Sequence, residues 1–565
     1  MNKQNVESNL FEKKNEEGKD LLPLRLLKPH KTIRDAVHGD VMLTDLEVNI
    51  IDTDCFQRLR GIRQLGTAHM VYPCAMHTRF DHAIGCLHVA EGLINRVNNN
   101  PYSDIKIDLY DRFLIRLTAL LHDLAHVPFG HTLEDEGTLF KSQWNDEIRA
   151  EIFLGDQSVV GKIILQYEIL QQLSNAGQSQ FKSTNVLKSL QEVIQAIEKH
   201  TVESLPRPYI GDIIGNTLCA DLLDYIRRDL YFTGLDENYD DRFLSYLYVT
   251  NYERKPRLVL RLHKPSTKRI RRDVQSELLH LLRLRYSLAE KVYFHHTKIS
   301  SSAMVISAVT DMFHENKINT QKFYPMSDDT LIEFMKNDGT EVAKRLMHNL
   351  SKHKLFKPVY GLKFGGESGE DPHYTEKQQL RELLAKKELR WTAERSLEKQ
   401  NELSPGSIVI YCPGEGMGYK AVKALVNLDG ENIGPLDNVA PQRVKDEIKS
   451  SITQKHKELW CMYVFVDRDL PEDAKANVHG DCEKMFKLQS DVEDCRVFYN
   501  PRHLHYLLRF EDKFVRENFG MTQLGAREVL SMAARPKEHP ISEEVAEYSS
   551  LSYDEYSSSR KNVQI

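Results

Sequence analysis

A largely apolar run that ends in an adjacent histidine and aspartate is the feature that most constrains this chain. Residues 113–121 read Phe-Leu-Ile-Arg-Leu-Thr-Ala-Leu-Leu, and His122 and Asp123 follow directly. The run is long enough for a buried helix, and Pro128 prevents that helix from continuing far. Burying two strong ligands at a helix end is costly unless a partner compensates them. A divalent metal is the usual partner of an imidazole beside a carboxylate, and a hydrogen-bonded core pair is the structural alternative.

Two further segments place polar side chains on helices. A helical pattern begins near Ile84, and His82 falls in its first turn, with Thr78 or Asp81 as the predicted cap. The segment 212–232 is predicted to form one helix, because its other positions are apolar. One face of that helix carries four polar side chains at positions i, i+3, i+4 and i+7, namely Asp221, Asp224, Tyr225 and Arg228. A polar stripe usually marks a solvated face, but the apolar surroundings favour a polar pocket.

Together these segments predict a metal site shared by three helices. The predicted ligands are His82, His122, Asp123 and Asp221. Two imidazoles and two carboxylates supply a charge close to that of a divalent ion, and the mixed donors suit Mn, Fe, Zn or, less well, Mg. Four protein ligands leave one or two coordination positions for water and a phosphate oxygen.

Composition excludes several classes of protein. Apolar residues make up 41% and charged residues 28% of the 565 residues, which is ordinary for a soluble globular protein. The net charge of -6 carries no overall signature of nucleic-acid or membrane binding. The eight cysteines form no CxxC pair, which favours a reducing compartment over a disulfide framework. The chain has no apolar run of membrane-spanning length and no apolar signal-peptide core, so we expect a cytoplasmic protein.

The chain is predicted to be mainly α, with a helical core and a smaller α+β C-terminal lobe. Residues 1–25 are polar and are expected to form a flexible tail before a core over 26–364. A Gly-rich stretch then precedes strand signals, so 365–530 is assigned to the α+β lobe. Residues 531–565 are predicted to form a disordered polar tail.

The order of the ligands, H…HD…D, resembles that of the HD-domain metal-dependent phosphohydrolases. The resemblance is closer to one branch, the dGTPase-like deoxynucleotide triphosphohydrolases, and covers roughly residues 31–300. It rests on Val37-His38-Gly39, Ile51-Asp52-Thr53, FQRLR at 56–60, Gln64-Leu65-Gly66, RFDH at 79–82, HDLAHVPFGH at 122–131 and DLLDYIRRD at 221–229. The resemblance implies that the core has the HD-domain fold and hydrolyses dNTPs to deoxynucleoside and triphosphate, with a metal such as manganese.

The resemblance also implies roles for side chains outside the metal site. Catalytic roles fall on His126, His131 and Glu134. Contacts to substrate sugar and phosphates fall on Gln64, Arg79, Tyr225, Asp229, Arg285 and Tyr293. Asp52, Gln57 and Arg60 match positions that contact an activating nucleotide at a subunit interface. These matches imply a homodimer or homotetramer under allosteric control.

Several positions depart from the pattern of the branch. Leu222 stands where a phosphate-binding Lys is expected, and Asp146 and Ala289 stand in place of two pocket histidines. Glu134 replaces an Asp, and Arg34 replaces an Asn near the activator positions. Losing a Lys and two His removes positive charge that would hold a triphosphate. The metal chemistry therefore follows more directly than the identity of the substrate.

A local basic patch keeps two other functions open. Residues 254–272 carry nine Lys or Arg and no acid. They either contact the phosphates of a nucleic acid or of an allosteric nucleotide, or form a solvated face. One alternative function is a phosphodiesterase or nuclease acting on single-stranded nucleic acid, and the other is a non-catalytic nucleotide-sensing module. Residues 413–418 are Gly-rich but lack the Lys-Ser/Thr of a phosphate-binding loop, so they are predicted to form a turn.

Overall fold

A computed structural model describes residues 22–141, 144–363, 371–414 and 424–491. The described residues fall in one compact unit. The predicted C-terminal tail, most of the predicted N-terminal tail, residues 492–530 of the predicted lobe and most of the Gly-rich turn at 413–418 lie outside them.

Helices form most of the structure up to residue 233. In chain order they are α1 (Leu22–Arg25), α2 (Asp45–Ile51), α3 (Asp54–Gln57), α4 (Arg79–Asn99), α5 (Leu109–Leu121), α6 (Glu147–Leu154), α7 (Val159–Gln166), α8 (Glu168–Asn175), α9 (Ser183–Glu198), α10 (Tyr209–Gly215) and α11 (Ala220–Thr233). A short 3-10 helix at Gly66–Met70 and a π-helical turn at Thr132–Glu136 lie between them.

Helices also dominate the second half of the described chain. They are α12 (Arg272–Leu288), α13 (His296–His314), α14 (Thr320–Phe323), α15 (Asp328–Asp338), α16 (Glu341–Ser351), α17 (Tyr374–Leu384), α18 (Lys387–Gln400), α19 (Leu436–Val439), α20 (Gln442–Ile448), α21 (Lys455–Glu458) and α22 (Glu472–Phe486). Residues 298–312 of α13 are all buried, so this helix runs through the core with neighbours on every side.

Three small sheets accompany the helices. β1 (Pro29–Asp35) and β2 (Gly39–Thr44) form an antiparallel hairpin. A four-stranded sheet has the order β3 (Leu247–Tyr252), β4 (Lys255–Arg261), β7 (Leu425–Asn427), β8 (Ile433–Pro435), and a three-stranded sheet has the order β5 (Lys357–Lys363), β9 (Cys461–Val466), β6 (Ile408–Tyr411). β4 pairs with β7 and β5 pairs with β9, so strands from both sides of residue 364 share each of the larger sheets. The domain boundary at that residue stays a prediction.

Local sequence determines where the helices that carry the site begin and end. α4 begins at a capping box, in which Thr78 Oγ1 accepts from the Asp81 N–H and the Asp81 carboxylate accepts from the Thr78 N–H at 2.8 Å. α5 ends at His122, its C-cap. Cys219 caps the start of α11, and Gly234 ends it in the left-handed conformation, with φ of 71°. α4 packs against both α5 and α11, and this packing brings the predicted ligands together.

The structure corrects one local expectation. Residues 212–232 do not form one helix, because α10 ends at Gly215 and Asn216 is extended before α11 begins. Gly and Asn are poor helix formers. The break places Asp221 in the first turn of a helix instead of its middle. Gly66 begins a 3-10 helix with φ of +54°.

The expected fold class is confirmed, since helices dominate and the larger sheets involve the C-terminal part of the described chain. Among the described residues, none of the helices combines the length and the apolar character that a membrane crossing requires.

Candidate metal centre

Three helices bring two imidazoles and a carboxylate to one point. His82 lies in the first turn of α4, His122 at the end of α5 and Asp221 in the first turn of α11. Asp221 Oδ1 lies 3.2 Å from His82 Nε2 and 3.9 Å from His122 Nε2, and the three ligand atoms lie within 4.8 Å of one another. A divalent ion with bonds of about 2.1 Å fits between donors at this spacing.

Hydrogen bonds determine which ring nitrogen of each histidine faces the site. His82 Nδ1 donates to Asp224 at 2.7 Å, and His122 Nδ1 donates to the Ala119 carbonyl at 2.8 Å. Both Nε2 atoms are buried and have no hydrogen-bond partner. Two buried imidazole nitrogens left without partners next to a carboxylate are what a divalent metal requires of its ligands. The donor set therefore fits a metal ion.

Asp123, the fourth predicted ligand, lies beside these three. Its oxygens lie 3.6 Å from His82 Nε2 and 3.5 Å from His122 Nε2. One oxygen accepts from Arg79 Nη1 at 2.6 Å, and the other lies 3.2 Å from His126 Nε2. Burial alone would raise the pKa of Asp123, but the charges of Arg79 and the histidines outweigh it and hold this pKa well below its usual value. Asp123 therefore supplies a negative charge to the centre.

A second layer of buried polar side chains supports His82. Asp224, its hydrogen-bond partner, also accepts from His38 Nε2 at 2.6 Å and from two Arg228 nitrogens at 2.9 Å. Arg228 in turn donates to Asp35 at 2.9 Å. Burial would raise the pKa of Asp224, but Arg228 and the two histidines hold it well below its usual value. Carboxylate–histidine pairs of this kind orient metal ligands.

His126 and Glu134, two of the residues with predicted catalytic roles, form a buried chain behind Asp123. His126 Nδ1 donates to Glu134 Oε2 at 2.5 Å, while its Nε2 faces Asp123. Glu134 also accepts from Arg149 Nη1. Burial would raise the pKa of Glu134, but His126 and Arg149 hold it well below its usual value. Because both ring nitrogens of His126 face carboxylates, neither is left to contact a ligand.

His131, the third residue with a predicted catalytic role, lies at the rim of the centre. Its side chain is 54% exposed, and its Nδ1 donates to Asp135 at 2.7 Å. Its ring centroid lies 5.0 Å from that of His126. Its Nε2 makes no hydrogen bond within the described parts of the chain. Of the two histidines with predicted catalytic roles, His131 is therefore the one that is able to contact a ligand.

Comparisons with known proteins identify the domain that carries these residues. A family model described as the HD domain matches residues 79–229, and a model described as the HD associated region matches residues 276–495. Residues 79–229 are therefore an HD domain. HD domains are metal-dependent, so the expected requirement for a metal ion is confirmed, and His82, His122 and Asp221 are candidate ligands.

Curated relatives resemble part of the chain. An uncharacterized protein of Methanocaldococcus jannaschii, MJ1154, is 28% identical over 58% of this chain and 59% of its own length. The deoxynucleoside triphosphate triphosphohydrolase SAMHD1 homolog of Dictyostelium discoideum is 29% identical over 59% of this chain and 60% of its own length. Deoxynucleoside triphosphate triphosphohydrolase SAMHD1 of Homo sapiens is 28% identical over 42% of this chain and 40% of its own length. The chain thus spans 60% or less of these relatives.

In the HD domain the predicted phosphate contact, Arg79, lies directly beside the candidate metal ligands. Its Nη1 donates to Asp123, while its Nε and Nη2 are buried and have no hydrogen-bond partner. A Cβ at Gly130 would lie 2.7 Å from Arg79 Nη2, so the loop passes close to the guanidinium. Gln64 Oε1 is also buried without a partner. Unpaired buried donors are costly, and a bound phosphate would satisfy those of Arg79.

The remaining predicted substrate residues gather around one carboxylate and one guanidinium. Asp229 accepts from the Tyr293 hydroxyl at 2.6 Å and from His77 Nε2 at 2.9 Å. Burial raises the pKa of Tyr225 and of Tyr293, and the positive charge of Arg285 opposes this rise in both. The structure therefore brings Tyr225, Asp229, Arg285 and Tyr293 into one neighbourhood.

Sequence reasoning gave no role to three residues that support the HD site. Asp224 lay on the polar stripe of α11, and that stripe was a usable signal. His38 belongs to the Val37-His38-Gly39 motif, but its contact with Asp224 joins positions 186 residues apart. His77 precedes the α4 capping box, and nothing in its local sequence indicated that it contacts Asp229.

The predicted activator positions lie near the start of α4. Arg60 Nε donates to Gln57 Oε1 at 2.9 Å, and its guanidinium lies 3.5 Å from the centroid of the Phe80 ring. Asp52 is exposed. Arg34 donates to Asp40 within the β1–β2 hairpin, at 3.0 Å. Arg60 is therefore held over an aromatic ring while its outer face stays accessible to solvent.

The three positions at which the family pattern has a Lys or a His carry no positive charge in this chain. Leu222 and Ala289 are buried apolar side chains. Asp146 caps α6 through the Arg149 N–H and accepts from the Tyr324 hydroxyl. This part of the HD site is therefore less positive than the family pattern implies.

Internal contacts occupy much of the basic patch. Lys255 donates to the Glu203 carbonyl, Arg257 pairs with Asp212, Arg261 lies over the Tyr102 ring, Lys268 pairs with Glu431, and Arg271 pairs with Asp273. The other four cationic side chains, Arg254, Lys264, Arg269 and Arg272, are exposed. The charge available to a polyanion is therefore smaller than the sequence indicates.

Proposed function

We propose that this HD-domain hydrolase converts deoxynucleoside triphosphates to deoxynucleosides and inorganic triphosphate. The observation that carries the proposal is the juxtaposition of the metal centre with Arg79, whose Nε and Nη2 are buried and unpartnered beside Asp123. Metal-bound phosphates need such donors. The relatives from D. discoideum and H. sapiens that are named for this activity support the same reading.

The reaction requires water to attack the α-phosphorus and a proton to reach the departing 5′-oxygen. The water oxygen stays with the triphosphate, and the 5′-oxygen leaves as the hydroxyl of the deoxynucleoside. When bound, a divalent metal supplies polarisation of the phosphoryl group and activation of water. Arg79 holds an α-phosphate oxygen and balances its growing charge.

His131 and His126 have different roles in the reaction. His131 donates the proton to the 5′-oxygen, because its Nε2 is free and its side chain is more than half exposed. His126 and Glu134 position Asp123, since each is already engaged in the buried chain behind it. In this assignment His131 contacts the substrate, whereas His126 and Glu134 act through Asp123.

Substrate selection rests on the second polar neighbourhood. Asp229, Tyr293 and Tyr225 contact the deoxyribose, while Arg285 and Gln64 contact the phosphates and sugar. The hydrogen bond from Tyr293 to Asp229 already orders two of these side chains. Comparing the rates of hydrolysis of the four dNTPs identifies the base that the enzyme prefers.

The proposal includes regulation by a second nucleotide. Asp52, Gln57 and Arg60 contact an activating nucleotide shared between subunits of a homodimer or homotetramer. The Arg60 guanidinium, ordered by Gln57 and by the Phe80 ring, is suited to a phosphate or a base edge.

One assay distinguishes this function from the two alternatives. The protein is incubated with each dNTP, and separately with short single-stranded DNA and RNA, in the presence of Mn²⁺ or Mg²⁺. Release of triphosphate and deoxynucleoside is the expected result. Mononucleotides released from the strands would instead indicate a nuclease, and nucleotide binding without any product would indicate a sensor. The internal contacts of the basic patch argue against the nuclease.

A further inference from the structure

A buried carboxylate from the HD-associated region holds the loop that follows the metal ligands. Asp328 is the first residue of α15, and its side chain is fully buried. One of its oxygens accepts the Phe129 N–H at 2.6 Å, and the other accepts the Arg63 N–H at 2.9 Å. We propose that Asp328 is a positioning residue for catalysis, an inference that rests on the proposed function above.

The first contact stabilises an unusual backbone conformation. Phe129 has φ of 62° and Gly130 has φ of 45°, so two successive residues adopt the left-handed region. A bulky residue such as Phe reaches this region only when its surroundings impose it. The hydrogen bond from the Phe129 N–H to Asp328 is one such constraint. It fixes the direction of the chain between His126 and His131.

The direction of the chain at Phe129 affects two groups that are proposed to contact the substrate, Arg79 and His131. The Gly130 backbone passes Arg79 so closely that a Cβ would lie 2.7 Å from Arg79 Nη2. His131 follows immediately and begins the turn that carries Glu134. A loop that relaxed at Phe129 would therefore shift the proton donor and release the guanidinium from its neighbour.

The second contact of Asp328 holds the segment that carries Gln64. Arg63 forms an isolated β-bridge with Thr78, the N-cap of α4, and its neighbour Gln64 donates its N–H to the His77 carbonyl at 3.0 Å. The same carboxylate thus joins the loop bearing His131 to the segment bearing Gln64. Burial raises the pKa of Asp328 to about 6, so near neutral pH it is ionised and accepts from both N–H groups.

A second connection crosses between the same two segments. Arg58 donates to the Leu124 carbonyl at 2.8 Å, to the His126 carbonyl at 3.0 Å and to the Tyr324 carbonyl at 3.2 Å. Residues 324–328 therefore contact the loop after the metal ligands through Arg58 as well as through Asp328. The HD-associated region takes part in the chemistry by fixing this loop.

The test compares two adjacent aspartates in the full-length protein. Asp328→Asn keeps the shape of the side chain but leaves one of the two N–H groups without an acceptor. Asp329→Asn is the matched control, because Asp329 is 69% exposed and also contacts Arg63, through Nη2 at 3.0 Å. Steady-state kinetics with a dNTP and Mn²⁺, bound metal, melting temperature and amide hydrogen exchange are measured for both.

We expect Asp328→Asn to lower kcat by about 10- to 100-fold, as small misplacements of reacting groups do, with KM and bound metal near wild type. Exchange at residues 127–132 should accelerate while that of α4 and α13 is unchanged. Asp328→Glu, which restores a carboxylate, should recover part of the lost kcat. Asp329→Asn should behave as wild type.

Two results would overturn the inference. One is wild-type kcat and wild-type exchange at 127–132 in Asp328→Asn. The other is a uniform rise in exchange together with an equal fall in bound metal, which would show that Asp328 stabilises the whole fold. If Asp328→Asn does not fold, the kcat of Asp328→Glu decides whether Asp328 positions the loop. A wild-type protein that releases no triphosphate refutes the proposed function alone, because the exchange comparison still tests Asp328.

Discussion

At the scale of single residues, metal binding depends on which ring nitrogen of His82 carries a proton. Its Nδ1 proton is committed to Asp224, which leaves Nε2 for the metal. Burial would lower the pKa of His82, but Asp221 and Asp224 outweigh it and raise this pKa to about 10. A metal must therefore displace a proton from Nε2, so loading should release protons and weaken as the pH falls.

Asp123→Asn should keep the fold but lose bound metal and activity. The substitution removes a negative charge from the centre while preserving side-chain shape, and the loss of affinity should exceed the roughly 10- to 100-fold typical of outer-shell changes. Metal content after gel filtration is the measurement, with the exposed Asp156→Asn as control. Full occupancy in Asp123→Asn would remove Asp123 from the ligand set.

His131→Ala should lower kcat by about 10²- to 10⁴-fold, because the departing 5′-oxygen loses its proton donor. Bound metal should stay at the wild-type level, since His131 contacts none of the three candidate ligands through a described hydrogen bond. Initial rates at saturating dNTP provide the measurement, and His348→Ala on the exposed face of α16 is the control. An unchanged kcat would move the proton-donor role to another group.

At the scale of elements, the site depends on three helix ends, and the sequence predicted two of them. The capping residue Thr78 and the apolar run before His122 are local signals, so the start of α4 and the end of α5 could be placed. The start of α11 was missed, although Gly215 and Asn216 are local signals of a break. The close packing of Gly215, where a Cβ would lie 2.2 Å from Ile197 on α9, is visible only in the fold. Nor do local patterns reveal that Asp224 meets His38, 186 positions away.

Gly85→Ala should destabilise the contact between α4 and α11. A Cβ at this position would lie 2.0 Å from Asp224 Oδ1 and 2.1 Å from Arg228 Nη2, and both side chains are fully buried and hydrogen-bonded to each other. Overpacking of this kind should lower the free energy of unfolding by about 1–3 kcal/mol. Urea denaturation measures this change in the free energy of unfolding, with Gly480→Ala on α22 as the control.

The control should respond in the opposite direction. A Cβ at Gly480 meets nothing within 4 Å, so alanine should raise the free energy of unfolding by up to about 1 kcal/mol through helix propensity. A Gly85→Ala protein as stable as wild type would show that α4 and α11 separate more easily than their packing indicates.

At the scale of the whole molecule, a buried carboxylate makes the stability of the fold depend on pH. Glu398 on α18 accepts the Ser407 N–H at 2.8 Å and the Ile408 N–H at 3.0 Å, which anchors the start of β6. Burial raises its pKa from the usual 4.5 to about 7, against the opposing charge of Arg395. A raised folded-state pKa favours the folded state at low pH, and this contribution is lost as the pH rises through about 7.

Glu398→Gln should therefore flatten the dependence of stability on pH. Its amide oxygen can still accept both N–H groups, but it does not titrate. Between about pH 5 and pH 8 the wild type should lose, relative to the variant, on the order of 2–3 kcal/mol of unfolding free energy. Urea denaturation at both pH values tests this, and parallel profiles for the two proteins would contradict it.

Arg60→Ala should abolish activation by a second nucleotide. The wild type should sediment as a homodimer or homotetramer when nucleotide is added, because a ligand shared between subunits stabilises the assembly by mass action. Sedimentation and turnover at varied nucleotide are measured for wild type, Arg60→Ala and the exposed Lys317→Ala. A wild type that stays monomeric, with hyperbolic kinetics that Arg60→Ala does not alter, would leave the regulatory site without support.

The sharing of strands across residue 364 limits how this chain can be shortened. A fragment ending there would strip β7 from β4 and β9 from β5, exposing the main-chain N–H and C=O groups of both strands as open edges. Open edges recruit strands from other molecules and promote aggregation. The HD match at 79–229 is therefore no guide to a soluble minimal fragment, and a fragment meant for crystallisation has to extend at least through Val466.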